Sequence, residues 1–178
     1  MFESIEDVVI QVAHMMELAA RTAPKTRGED FVKTQVLKGN KIEILAETMR
    51  ALGKKTGGAR FERDGANIAQ SIAVVLIGLE KARPAELDCG ACGYAGCKDL
   101  LAAVPSELEF TGPICSFRLL DVGIALGSAV KTAQIHNVDN RIMYTAGSAA
   151  RANKMVDWDF VVGIPLSASG KSIYFDRK

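Results

Sequence analysis

Long apolar runs, an excess of either charge and the glycine signatures of nucleotide sites are all missing from this sequence. Its 22 Lys and Arg stand against 21 Asp and Glu over 178 residues, a formal net charge of +1. No basic stripe and no basic run longer than a pair is visible, so neither nucleic acid nor an anionic membrane has an electrostatic footprint here. The apolar stretches fall far short of the roughly twenty residues that a membrane span requires. Met1 to Asp7 is acidic where a secretory leader is basic. A soluble, cytoplasmic protein is therefore expected, in a compartment that keeps thiols reduced. No G-x-G-x-x-G follows a candidate strand and no Walker A run occurs, so dinucleotide and nucleoside triphosphate sites lack a motif. Ser167, Ser169 and Ser172 lie outside any G-x-S-x-G context and have no obvious partner histidine, which leaves hydrolase chemistry without support.

Cysteine is scarce too, and its placement is informative. All four cysteines lie between residues 89 and 115, in Asp88-Cys89-Gly90-Ala91-Cys92-Gly93-Tyr94-Ala95-Gly96-Cys97 and, seventeen residues on, Gly112-Pro113-Ile114-Cys115. Four thiolates satisfy a cubic iron-sulfur cluster, one per iron. Gly90, Gly93 and Gly96 lack a Cβ, so the backbone is expected to take positive φ there and to wrap N–H groups toward sulfur. Lys98 to Val104 reads as a short helix ended by Pro105, which places Cys97 at its positive end. Other uses of four cysteines remain open. Tetrahedral zinc usually takes two similar C-x2-4-C knuckles, and here the second half supplies a single Cys. Two disulfides are possible by count, although Cys89 and Cys92 are too close in sequence to make a useful staple. A redox-active C-x-x-C pair would leave Cys97 and Cys115 unexplained.

In chain order, Ile5, Val8, Val9, Val12, Met15, Met16 and Ala19 mark an amphipathic helix with a Ser4–Asp7 capping box, closed by Pro24. His14 lies beside its apolar face and reads as a satisfied interfacial histidine. Phe31 to Leu37 reads as a strand and Lys41 to Lys55 as a helix ended by glycines. Asp64 to Gln70 reads as one or two helical turns. Ser71 to Leu79 is a continuous β-branched run, the mark of a central strand covered on both faces. Phe117 to Gln134 reads as a helix with His136 in its trailing turn. Its Gly123 and Gly127, beside Ala125 and Ala129, suit burial in a core or a dimer interface. Arg141 to Thr145 reads as a short strand, Ser148 to Lys154 as a short helix after Gly147, and Trp158 to Ile164 as a strand broken by Pro165. Ile173 to Arg177 is expected to pair at an edge or cross to a partner. One domain, 1–178, is implied, with the cysteine segment inserted at about 84–116. Its architecture is α+β (α/β layered), a mixed sheet flanked by helices.

The run Cys89 to Cys97 with distant Cys115 resembles the [4Fe-4S] module of corrinoid iron-sulfur proteins and electron-transport ferredoxin subunits. With its surroundings, and nearly end to end through Gly163 to Ser172, the chain is similar to a family of uncharacterised prokaryotic proteins described as containing a ferredoxin domain. The order of parts also resembles the nitroreductase-like flavoprotein fold, from Ala19-Ala20-Arg21-Thr22-Ala23-Pro24 onward to the long helix near Asp121-Val122-Gly123. That resemblance implies FMN and an intertwined homodimer, with Lys25, Thr26 and Arg27 near the flavin and Gly147, Ser148 and Lys171 as further phosphate or ring contacts. The Arg-Arg-Ser and Asn-x-Gln-Pro-Trp sequences of that fold are missing here. The expected function is an iron-sulfur oxidoreductase or electron carrier. One [4Fe-4S] cluster sits on Cys89, Cys92, Cys97 and Cys115, with FMN possible, serving a redox partner protein or a small-molecule acceptor. The alternative is a non-catalytic zinc or cluster protein for assembly or redox sensing.

Overall fold

The central strand, β2 (Ala73–Leu79), is buried along its whole length, and its alternation sorts the core into two halves. Val75, Ile77 and Leu79 face one cluster, with Val9, Val12 and Met16 of α1 (Ile5–Thr22) and Val122, Ala125 and Ala129 of α5 (Ser116–Ile135). Val74 and Leu76 face the other, with Leu45 and Met49 of α2 (Asn40–Thr56), Phe61 and Ile68 of α3 (Ala59–Ile68) and Ala146 and Ala149 of α6 (Tyr144–Ala152). Period-two side chains thus bind a helical layer to each face of one sheet. The structure is a computed structural model that describes residues 4–175.

The sheet order is β1-β2-β6-β5, with β1 Val32–Lys38, β5 Asp139–Asn140 and β6 Phe160–Ser167. The expected α+β layering of a sheet between helices holds, but all three pairings are antiparallel rather than mixed. Helices on both faces give β2 its unbroken apolar run whatever the direction of its neighbours. The expected capping box closes α1, with the Asp7 N–H donating to Ser4 Oγ at 3.2 Å and the Ser4 N–H to Asp7 Oδ2 at 3.1 Å. His14 is exposed and pairs with Glu17 at 3.0 Å, and His136 is the C-cap of α5.

Four boundaries differ from the sequence reading. The helix expected at Asp64 begins at Ala59. Arg141 to Thr145 is not a strand: pairing there is one Met143–Gly163 bridge, and α6 has begun by Tyr144. Gly147 therefore sits inside α6 rather than before it. β6 runs through Pro165, which is opposite Val74 in the register. Leu166 accepts a bond from the Ile72 N–H on the β2 side, and Gly163 exchanges both its bonds with Met143 on the other. Alternation points the Pro165 peptide to that second side, where β5 has already ended at Asn140, so its missing N–H breaks no ladder bond. Gly123 and Gly127, expected in a core or a dimer interface, are not in the core of the chain and face outward into open space; the buried stripe of α5 includes Val122, Ala125, Ala129 and Ala133. Of the expected tail pairing, Ile173 to Phe175 form a turn, and Asp176 and Arg177 lie outside the described residues.

Candidate metal centre and the loops that frame it

The register puts Val32 of β1, Leu79 of β2 and Phe160 of β6 at one end of the sheet. The segment carrying every cysteine leaves from that end and returns to it: the Thr111 N–H donates to the Asp159 carbonyl at 2.9 Å, and the Asp159 N–H to the Leu79 carbonyl at 2.8 Å. The segment holds α4 (Cys97–Ala102) and a small hairpin of β3 (Ser106–Glu107) and β4 (Thr111–Gly112). Before them the chain turns repeatedly through positive φ, at Glu86 (52°), Asp88 (45°), Gly90 (70°) and Gly93 (88°). Gly96, expected to share this conformation, is extended. Its lack of a Cβ matters for a different reason, since one would lie 3.2 Å from Asp88 Oδ1. That carboxylate takes the Cys97 N–H at 2.7 Å at the start of α4, which runs Cys97–Ala102 where the sequence suggests Lys98 to Val104.

All four cysteines are free thiols, Cys89 exposed, Cys92 and Cys97 half-buried and Cys115 buried. Cys115 is the N-cap of the 20-residue α5, whose first-turn amides carry the positive end of the helix dipole and favour a nearby anion. Together with Ala85 and Leu100 it forms a small apolar cluster, against which Cys92, Tyr94 and Phe117 pack. Beside it lies a cavity of about 200 Å³ lined by Leu100, Pro113 and Cys115. The donor chemistry fits a four-thiolate centre, since every thiol is unpaired and on one segment. The geometry brings Cys92 and Cys115 to one cluster and leaves Cys89 and Cys97 outside it. Among the described residues no three His, Cys, Asp or Glu side chains are grouped as a ready metal site.

The six residues considered for a flavin lie in three separate parts of the molecule. Thr26 donates both its N–H and its Oγ1 to Asp121 Oδ1, each at 2.8 Å. Lys25 Nζ caps the end of α1, donating to the carbonyls of Arg21 at 2.7 Å and Ala23 at 2.9 Å. Arg27 alone of this trio keeps a half-exposed side chain; it donates to the Ala85 carbonyl at 3.2 Å and pairs with Glu86 at 3.5 Å, against the cysteine segment. Gly147 and Ser148 lie within α6 on the opposite face of the sheet, beyond the first turn, so the free helix-start amides expected of them are not present. A Cβ on Gly147 would sit 1.9 Å from the Val161 carbonyl oxygen, so glycine is needed there for packing. Lys171 follows β6 at the far end of the sheet, where Ala73 pairs with Leu166. A single chain does not bring the six together.

Sequence reasoning missed the residue that ties this region together. Arg118 is completely buried. It donates to the carbonyls of Arg83 at 2.8 Å and Thr26 at 3.0 Å, to Asp121 Oδ2 at 3.3 Å and to Glu29, and its guanidinium stacks 4.7 Å from the Phe31 ring. One guanidinium thus joins the start of α5, the Thr26 turn, the edge of β1 and the entry to the cysteine segment. An Arg and an Asp one turn apart on an otherwise apolar helix were the available signal. Near the hairpin, burial and then the Glu109 carboxylate hold the Tyr144 phenol above its ordinary range, opposed by Arg60, 5.4 Å from the ring.

The backbone arrangement is that of the nitroreductase fold. Nitroreductase A from Vibrio parahaemolyticus is similar with a TM-score of 0.57 at 9% identity over 91% of this chain, which spans 59% of that protein's length. Nitroreductase CinD from Lactococcus lactis, in complex with nicotinic acid, gives 0.56 at 12%, covering 91% of this chain and 81% of that one. An FMN-dependent nitroreductase from Mycobacterium smegmatis, in complex with NADPH, gives 0.55 at 13%, covering 93% and 81%. At such identities the likeness concerns the fold alone. The chain belongs to the same family as an uncharacterized protein of Archaeoglobus fulgidus, 43% identical over 165 residues that cover 93% of this chain and 89% of the relative. The family described as uncharacterized protein containing a ferredoxin domain matches residues 111–177, which include Cys115.

Proposed function

We propose that this protein is an iron-sulfur oxidoreductase or electron-transfer protein in which Cys89, Cys92, Cys97 and Cys115 hold one [4Fe-4S] cluster. The observation that carries this reading is that all the cysteines are unpaired on one insert at the end of the central strand, with Cys92 and Cys115 already packed together. The ferredoxin domain in the family's description agrees with it. Asp88 holds the Cys97 amide and Arg118 holds the entry to the segment, so this chain's own part is to fix the loop and exclude water around Cys115. When bound, a cluster supplies one-electron chemistry and FMN two-electron chemistry. FMN is a proposal supported by fold neighbours that contain it or depend on it, and Arg27, half-exposed beside the cysteine segment, is the contact the geometry favours. The electrons pass to a partner protein or a small acceptor.

Anaerobic purification followed by iron and sulfide analysis tests the reading. About four of each per chain is expected, with visible absorption that bleaches on dithionite. Stoichiometric zinc and no visible band would favour the second reading, in which the thiolates hold a structural metal in an assembly or sensing protein. Loss of the fold on chelation would go with that outcome.

A further inference from the structure

A cavity of about 970 Å³, several times the one beside Cys115, opens between the end of α2, the outer face of α6 and the β3–β4 hairpin. That volume lies within the range of small-molecule sites. Phe61 (1% exposed) and Val156 (8%) line it from the core side, and Ser148, at 4%, lines it with them. Among the described residues the Ser148 hydroxyl has no hydrogen-bond partner, while no fully enclosed polar side-chain atom is left unpaired. The Ser148 oxygen is therefore reached from the cavity.

Arg151, three residues on, shares its helix face. It donates to the Glu109 carbonyl at 3.0 Å and to Thr111 Oγ1 at 2.6 Å, both neutral acceptors, and forms no ion pair among the described residues. A guanidinium has five donors, so three remain for an anion. Glu109 is paired with Arg60 at 4.0 Å, so Lys55 and Lys154 at the rim are balanced by Glu107 and Asp157, which leaves the Arg151 charge for a single carboxylate and no surplus for a multiply charged anion. We propose that this cavity binds a small organic monocarboxylate with an apolar body, its carboxylate held by Arg151 and Ser148 Oγ and its apolar part set against Leu52 and Leu108, which also line the cavity. Through Arg151 the occupant also touches the hairpin that leads to Cys115, since Thr111 lines the smaller cavity. The proposal stands on this cavity and not on the cluster reading.

Calorimetric titration of the full chain with naphthoate tests it, with naphthylmethanol and naphthyl phosphate as controls and amide NMR shifts to locate the site. Iron-free and iron-loaded protein are both titrated, so a failed cluster assignment leaves the result readable. Saturable naphthoate binding is expected, weakened roughly tenfold or more by Arg151→Met and about threefold to tenfold by Ser148→Ala. Binding of the alcohol should be the same in both variants as in the wild type. Ser148→Ala removes no internal hydrogen bond and improves helix propensity, so it keeps the test valid should Arg151→Met disturb the hairpin. No saturable binding, equal naphthoate affinity of wild type and Ser148→Ala, or tighter binding of the phosphate than of the carboxylate would each overturn the proposal.

Discussion

At the scale of single residues, buried polar groups decide more than the apolar ones that surround them. Arg118 has lost all its water and is compensated by Asp121, Glu29 and three π or carbonyl partners. Removing one partner of a buried pair leaves an uncompensated charge, at about 3–5 kcal/mol. Asp121→Ala should cost that much in urea unfolding and also free the Thr26 turn, which a loss of amide-exchange protection at Thr26 would report. Tyr174 works at the other end of the sheet. Its hydroxyl meets Ser71 Oγ at 3.0 Å, and burial raises the phenol pKa from the ordinary 10.0, with the Ser71 bond opposing and Asp139 adding to the rise. The folded protein keeps this proton over a range in which the unfolded chain has lost it. The contribution is thus complete below about pH 10 and is lost as pH climbs beyond it. Tyr174→Phe should cost about 1 kcal/mol at neutral pH and flatten the alkaline fall in melting temperature above pH 10.

The next scale is the element, and here the sequence was legible where one local pattern dominates. The capping box of α1, the glycine ending of α2 and the two-sided burial of β2 all rest on residues adjacent in the chain, and the structure has each of them. Failures came where a neighbour overrides the local pattern. Pro165 looks like a strand breaker until the partner on its N–H side is known to have stopped at Asn140. Gly147 looks like a helix start until the Val161 carbonyl is seen against it. That last contact gives a prediction opposed to propensity: alanine for glycine in a helix ordinarily gains about 1 kcal/mol. Gly147→Ala should instead destabilise by about 3 kcal/mol, the upper end for overpacking, by driving α6 off β6. Thermal melting measures the sign directly.

For the molecule as a whole, the fold explains why the candidate site was only partly readable. The four cysteines are close in sequence and were found at once, whereas Arg118 and the Thr26 turn meet across 92 residues of chain. The six flavin candidates were gathered by likeness of order, and the topology distributes them over both faces and both ends of the sheet. We propose that a second copy reunites such parts, with α5 as the surface it covers. Leu120 and Ile124 are 56% and 46% exposed beside the open Gly123 and Gly127, an apolar strip that lets another backbone approach. Sedimentation equilibrium should show a dimer that Ile124→Glu converts to monomer.

The central claim concerns four sulfur atoms, and anomalous diffraction at the iron edge from anaerobically grown crystals tests it most directly. One compact iron peak is expected beside Cys115 and Cys92, with the loop drawn in so that Cys89 and Cys97 complete the ligands. Iron-replete protein whose Cys115 thiol points away from any metal, or a peak bound by other residues, would contradict it.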